Sequence, residues 1–363
     1  VAIREIGLWS DSLNHLYKLA FTALTMFAAP VIAQESGVSF YHKAWSVACD
    51  NTLTCRIGGH SVQENVGGVL LTRAPGEHTA TAGEIILPED RENEAPVKKL
   101  TLWLNGQPAG EATQKANRWW LSEAQTLALI DAVKGSGTVG FKSDRESFQL
   151  SGEGAYAALL KVDDVQGRIG TQGAWVKKGD RPESGVAKAV AMPVIQAVKV
   201  SPAQPSVLTK KEAEALRPQL LAVLTSEQQC DYLTSVGEKD VNGNIISGDI
   251  TATPLDDTHT LLSTQCWGAA YNQGYGYWVT DSQLKAKPVA VTTDAQTWHD
   301  GVITNVFMGS SAGSCASKEE WIWDGAAFRQ SLATINDGCW FPRTLGNREI
   351  PGLVSEIKRE GIK

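Results

Sequence analysis

The sequence has no basic excess, no Cys-x-x-Cys pair, no fixed-period repeat and no low-complexity tract. With 33 Lys+Arg against 40 Asp+Glu the net charge is −7. Mild acidity speaks against nucleic-acid binding, which needs a basic patch, and against electrostatic attachment to anionic lipid. No histidine stands at ligand spacing from a cysteine, and His42, His60, His78, His259 and His299 form no His-x-x-x-His or Glu-His cluster. That leaves no zinc framework, so neither metal nor cofactor is expected. The histidines are read as surface or hydrogen-bonded structural residues. No apolar run reaches the ~20 residues of a spanning helix.

What is present starts with an export signal. Lys18 precedes the apolar run Leu19–Ala29, and Pro30-Val31-Ile32-Ala33 follows with small or β-branched residues at the positions a signal peptidase reads. Cleavage is expected between Ala33 and Gln34. The new first residue is not Cys, so no lipoprotein anchor and no stable membrane anchor are expected. Val1–His15 precede an ordinary n-region, and no Met occurs before Met26. Either the start is placed too far upstream, the true one lying near Leu16, or the n-region is long. Removing residues 1–33 deletes Arg4, Lys18, Glu5 and Asp11 and leaves the net charge of −7 unchanged.

All six cysteines, Cys49, Cys55, Cys230, Cys266, Cys315 and Cys339, lie beyond that point. An even count in an exported chain reads as three disulfides. Proximity favours Cys49–Cys55, Cys230–Cys266 and Cys315–Cys339. Hydrophobic content of 42% with 20% charged residues is ordinary for globular protein.

Residues Ser39–Cys49 alternate like one strand; Asp50-Asn51-Thr52 turns it, and Cys55-Arg56-Ile57 continues. Val69–Arg73 and Leu100–Leu104 read as further strands, and Asn105-Gly106 as a hairpin turn. The run from Glu89 to Glu94 reads as a solvated loop. Ser122-x-x-Gln125 is a capping box for a helix with Leu127, Ile130 and Val133 on one face, stopped at Gly135. Thr138–Phe141 and Ser147–Leu150 look like a strand pair. Ser151 can cap a second helix, ending near Gly167. Prolines 182, 193, 202 and 205 mark a linker or strap. Thr209-x-x-Glu212 opens another helix, and Ser226-x-x-Gln229 is a candidate for one more. The second half is strand-rich: Thr258–Thr264, Ala269–Thr280, Val302–Phe307 and Glu320–Trp323, with turns at Asn242-Gly243 and Asp324-Gly325.

Several stretches together carry a family likeness. They are Trp45–Cys49, the run Ser151–Arg168 leading into a Gly-rich segment and Trp175, Gly313-Ser314-Cys315, Trp321–Gly325 and Phe328. In this order they resemble the bacterial exported family called domain of unknown function 1176 (DUF1176), over almost the whole mature chain. The chain departs from that pattern around Cys339–Arg343. The Trp-x-Val-x-Cys opening is also similar, more weakly and in the first half alone, to the invasion-associated locus B proteins. The first resemblance implies a periplasmic protein; it supplies no reaction and no ligand, so no catalytic residue is carried over.

Gly309-Ser310-Ser311-Ala312-Gly313 has the Gly-x-Ser-x-Gly form of a nucleophile elbow, but no His follows His299, so the hydrolase order fails. Asp240–Asn244 has the look of a calcium loop, but Ile245 stands where Gly is required and Thr251 where Glu is, so it reads as a turn. Asp163-Asp164 with Arg168 has the make-up of an acid pair beside a cation, but Asp164 and Arg168, four apart on a helix, read as a surface salt bridge. Trp267, Tyr271, Tyr275, Tyr277 and Trp278 fall within twelve residues, interleaved with Gly268, Gly274 and Gly276. Strand alternation places Tyr275 and Tyr277 on one face and Trp278 opposite. Flat rings with polar tips suit sugars or peptides, so these five are the candidate ligand-binding residues. The competing reading makes them core, in keeping with the chain's 12 Trp.

The reading is an α+β fold of two β-rich domains, residues 36–180 and 208–363, joined by a strap over 181–207. Each has a mainly antiparallel sheet with one or two supporting helices. The function expected is a non-catalytic periplasmic binding or envelope-interaction protein, with an unknown envelope ligand or protein as partner and no catalytic residue assigned. The alternatives are a periplasmic hydrolase of an envelope polymer and a structural partner or inhibitor of another secreted protein.

Overall fold

The computed structural model describes residues 37–63, 66–87, 95–309, 316–335 and 350–359. The export signal and its cleavage point, the Glu89–Glu94 loop, the Cys315–Cys339 pair and the Cys339–Arg343 departure lie outside the described residues. Residues 35–363 cluster as one compact unit.

Strand alternation builds the first sheet, seven strands in which every neighbouring pair is antiparallel. Trp45, Val47, Ile57, Val69, Leu71 and Ile85 fall at alternate positions, so they share one face. The helices Glu123–Val133 and Ala155–Val165 cover that face with Leu129, Ile130, Leu159 and Val162. Trp45 sits opposite Gly59, and a Cβ on Gly59 would stand 2.5 Å from the indole Cη2, so only a hydrogen fits under the ring.

The expected single strand over Ser39–Cys49 is instead a hairpin, Val38–His42 against Trp45–Cys49. The chain reverses at Lys43, whose φ is +54°. No Gly or Asn marks the turn, so alternation alone read straight through it. Cys49 and Cys55 are register partners on neighbouring strands and form a disulfide, as proximity suggested. Between them Asp50 Oδ1 accepts from the Thr52 N–H at 2.9 Å and the Thr52 hydroxyl at 2.6 Å. Asp50 Oδ2 accepts from Arg56 at 2.7 Å.

A four-stranded sheet follows, in the order Ser147–Gln149, Val139–Ser143, Leu100–Leu104, Gln107–Glu111. Asn105 (φ 51°) and Gly106 (φ 77°) make the tight left-handed turn that this dipeptide favours. The Ser122/Gln125 capping box forms. Leu127, expected on the buried face of that helix, is exposed; Thr126 and Leu129 take the face with Ile130 and Val133. Gly154, not Ser151, caps the second helix, at φ 96°.

Val194–Ala197, within the residues expected as a linker or strap, pairs in parallel with Glu356–Arg359. Ser206–Val207 adds to the next sheet, which runs through Thr251–Pro254, His259–Gly268 and Gln273–Asp281 to Val289–Ala295. The last sheet runs Thr297–His299, Val302–Met308, Ala316–Trp323, Phe328–Thr334, Pro351–Val354. The first of these two sheets is buried on both faces. One face packs Leu262, Cys266 and Trp278 against Leu216 and Leu220 of the helix Lys210–Leu221, which starts from the expected Thr209/Glu212 capping box. The other packs Leu261, Tyr277 and Val279 against Ile303, Trp321 and Trp323 of the last sheet.

Ser226 opens no helix. Gln228 folds its side chain back to accept from the Thr225 N–H at 3.2 Å, and the short helix Asp231–Thr234 begins after Cys230 instead. The Cys230–Cys266 disulfide ties that helix to the His259–Gly268 strand. The end of the chain bonds back to the first sheet: the Asn51 side chain donates to Val354 O at 3.0 Å and accepts from Val354 N at 2.8 Å. The Gly37 N–H donates to Gly352 O at 2.9 Å.

Candidate functional site

Four charged residues, Arg73, Asp163, Arg168 and Glu183, are buried together and paired with one another. Asp163, on the inward side of its helix, accepts from the backbone N–H groups of Trp175 (2.8 Å) and Val176 (2.9 Å). Arg73, from the Gly68–Arg73 strand, lies 3.5 Å from Asp163 and 4.5 Å over the Trp175 ring. Arg168 donates to Glu183 at 2.8 Å, Gly76 O at 2.6 Å, Thr79 at 2.9 Å and Gln166 at 2.9 Å. Burial pushes the Asp163 carboxyl above its usual range, and the Val176 and Trp175 N–H groups with Arg73 pull it back in part. Burial also acts upward on Glu183, but the His78 N–H and the Arg168 charge outweigh it and hold that carboxyl low. The expected surface bridge between Asp164 and Arg168 is therefore corrected. Arg168 is fully buried on Glu183, and Asp164 pairs with Lys161 at 3.4 Å. The chain turns after Val165, so i,i+4 helical geometry no longer applies at residue 168. These charges stitch residues 166–187 to the first sheet.

The aromatic segment divides between interior and surface. Alternation holds: Tyr275 and Tyr277 enter one apolar cluster, Trp278 and Trp267 the opposite one. Trp278 and Tyr277 are buried, and burial pushes the Tyr277 phenol up. The interleaved glycines make room for rings. A Cβ on Gly276 would stand 2.2 Å from Trp278 Cη2, and one on Gly274 2.1 Å from Trp267 Nε1. Trp267 and Tyr275 are half-buried, Trp267 donating to Asp294 at 2.9 Å. Tyr271, in the turn of the hairpin, is 57% exposed. The binding role expected for the five can thus be offered to solvent by Tyr271 and in part by Tyr275 and Trp267.

Beside that turn lies the end of the Val302–Met308 strand. Ile303 and Asn305 are buried, but Val306, Phe307 and Met308 are 43%, 41% and 36% exposed. The Asn272 side chain joins the two elements, donating to Met308 O and accepting from Met308 N, both at 2.8 Å. Gln296 Oε1 accepts from Val306 N. Tyr271, Asn272, Gln296 and residues 306–308 therefore meet at one exposed edge, Val306 and Met308 on one face of the strand and Phe307 on the other, with no charge in those six residues. Sequence reading found the strand and Tyr271 but not this surface. Its signal is the loss of alternation at Val306-Phe307-Met308; Asn272 and Gln296 carry no signal of their own.

Other candidates resolve as follows. Of the Gly-x-Ser-x-Gly segment Gly309 alone is described. Asp240 accepts from the N–H groups of Asn242 (2.9 Å) and Asn244 (2.8 Å), so its carboxylate is used in closing a turn. His259 Nδ1 lies 2.9 Å from Asp256, with its ring edge against Trp323. Among the described residues no group of three His, Cys, Asp or Glu is placed to hold a metal, and no helix is long and apolar enough to cross a membrane.

His60 is buried on the first sheet, and burial pushes its imidazole down to about 3. The unfolded chain, near 6.5, then binds a proton that the folded chain refuses. Stability is expected to fall as pH drops from about 6.5 towards 3, with a slope from this residue approaching ~1.4 kcal/mol per pH unit. Urea midpoints between pH 4 and 7 for the wild type and His60→Gln check this. Parallel pH profiles for the two would contradict it.

The family described as "Protein of unknown function (DUF1176)" matches residues 39–342, and the chain belongs to it. A curated relative, the "Uncharacterized protein YpfG" of Escherichia coli (strain K12), is 25% identical over 320 residues, covering 78% of this chain and 84% of that protein. No solved structure matches. The comparisons support the first of the two sequence resemblances and not the likeness to the invasion-associated locus B proteins.

Proposed function

We propose that this chain is an exported, periplasmic, non-catalytic binding protein of the cell envelope, whose ligand meets the surface of Tyr271 and residues 306–308. The observation that carries the reading is the run of three exposed apolar residues beside an exposed tyrosine. Consecutive exposed apolar side chains cost solubility and are kept where they serve a contact. The Cys49–Cys55 and Cys230–Cys266 disulfides fit an oxidising compartment. The halves 36–180 and 208–363 are proposed as two lobes of this protein, the second bearing the site.

The test is a thermal-shift panel of peptidoglycan fragments, oligosaccharides, peptides, lipids and divalent metals, because a ligand of the folded state raises the melting temperature by mass action. A concentration-dependent rise with one class is expected. It should vanish in Tyr271→Ala/Phe307→Ser, which should itself melt near the wild type. A silent panel, or a rise that survives in the variant, removes this surface as the site.

A further inference from the structure

The Val302–Met308 strand has two unlike edges. Towards Ala316–Trp323 it is paired along its whole length, from Val302 opposite Ile322 to Met308 opposite Ala316. On the other side Thr297–His299 covers Val302, Ile303 and Thr304 and then stops. The Gln296 N–H donates to Thr304 O at 3.0 Å, which places the backbone groups of Thr304, and by alternation those of Val306 and Met308, on that side.

Side-chain amides occupy those positions. Gln296 accepts from Val306 N; Asn272 both accepts from Met308 N and donates to Met308 O. The Asn272 exchange reproduces the paired N–H···O contacts that two residues make across an antiparallel ladder. One carboxamide therefore stands where the peptide groups of a neighbouring strand would stand. Natural sheets guard an open edge with Lys, Pro, a bulge or an inward charge. Residues 302–309, Val-Ile-Thr-Asn-Val-Phe-Met-Gly, contain no charge and no proline. Val306 and Met308 project from one face of the strand and Phe307 from the other, with Tyr271 adjoining Asn272.

The geometry points to an extended, uncharged, apolar peptide segment of another protein, docking as an added strand on the Val306–Met308 edge, beyond the last pair with Thr297–His299, and displacing the Asn272 and Gln296 amides. Main-chain hydrogen bonds supply affinity in such strand addition, and alternate side chains supply selectivity. The occupant is a peptide because the groups holding its place are amides. It is apolar because the side chains flanking the edge are. This inference rests on the binding reading above and names its ligand class.

The experiment uses the full chain and a fluorescein-labelled peptide of alternating valine and threonine, read by fluorescence anisotropy. Saturable binding is expected. A peptide of the same sequence, N-methylated at alternate residues, keeps the side chains but loses the donors, and should bind at least ~10-fold more weakly. Val306→Lys should abolish binding. Asn272→Ala/Gln296→Ala should tighten it, because the competing amides are gone; weaker or unchanged binding with normal melting would overturn the displacement. Equal affinity for the N-methylated peptide would overturn strand addition. Concentration-dependent dimerisation relieved by Val306→Lys, without peptide binding, would assign the edge to a second copy and overturn the inference. If the valine–threonine peptide fails but another ligand class gives a thermal shift lost in Tyr271→Ala/Phe307→Ser, the binding reading stands and the peptide inference falls. If both are silent, both fall.

Discussion

Arg168→Met is expected to destabilise the protein by about 3–5 kcal/mol, the cost of leaving one partner of a buried ion pair uncompensated. The guanidinium is fully buried and makes contacts to Glu183, Gln166, Thr79 and Gly76 O within 2.6–2.9 Å. Methionine fills much of the volume and supplies no donor. Glu183 then keeps the His78 N–H at 2.7 Å but loses its buried cation. The paired variant Arg168→Met/Glu183→Leu should recover much of the loss, because both charges leave together and an apolar pair of similar volume is often neutral. Urea denaturation of the wild type, both single variants and the double variant decides it. A loss below ~1 kcal/mol for Arg168→Met would place the network in the class of exposed ion pairs and contradict its burial.

Trp278→Ala should cost a similar amount, about 3–5 kcal/mol, through lost burial and the cavity left between the sheet and its helix. Gly276→Ala is the sharper test. The added methyl would stand 2.2 Å from Trp278 Cη2 and 2.6 Å from Cys266 Sγ. The ring is fully buried and the sulfur is held in a disulfide, so neither can yield freely. Overpacking of this kind costs about 1–3 kcal/mol or more. In Gly276→Ala/Trp278→Ala the methyl occupies space the ring has vacated, so the double variant should be less destabilised than the sum of the singles. Strict additivity would mean that the ring does not lie over the glycine. Tyr271→Ala, at the exposed end of the same segment, should stay within ~0.5 kcal/mol of the wild type. The contrast separates the part of the aromatic segment that packs from the part that can meet a ligand.

Local rules account for much of the fold. Period-two alternation located strands such as Val69–Arg73, Leu100–Leu104 and Val302–Met308, and passed over others, Thr81–Ile86 and Val289–Ala295 among them. Asn105-Gly106 specified its turn because both positions need φ above zero. Both proposed capping boxes, Ser122/Gln125 and Thr209/Glu212, formed, since a short side chain three residues before an amide or carboxylate satisfies the first turn without outside help. Sequence proximity was enough for Cys49–Cys55 and Cys230–Cys266. Where the rules failed, a local cue was missing or misleading: Lys43 turns the chain without a turn residue, and Ser226 has the spacing of a cap with no helix after it.

By itself, then, the sequence determined the antiparallel β-rich character, the helix starts at Ser122 and Thr209, the alternating faces of Tyr275, Tyr277 and Trp278, and family membership, since each rests on residues close together along the chain. Tertiary structure decided the rest. Alternation names two faces of a sheet but not what covers them, so the burial of both Tyr277 and Trp278 depended on a helix on one side and a second sheet on the other. Arg168 found Glu183 rather than Asp164 because the chain turns back over the first sheet between them. The Val306–Met308 edge became a surface because the neighbouring strand ends three pairs in, at Thr304. Such partners are brought together by packing across long sequence separations, and no local pattern encodes them.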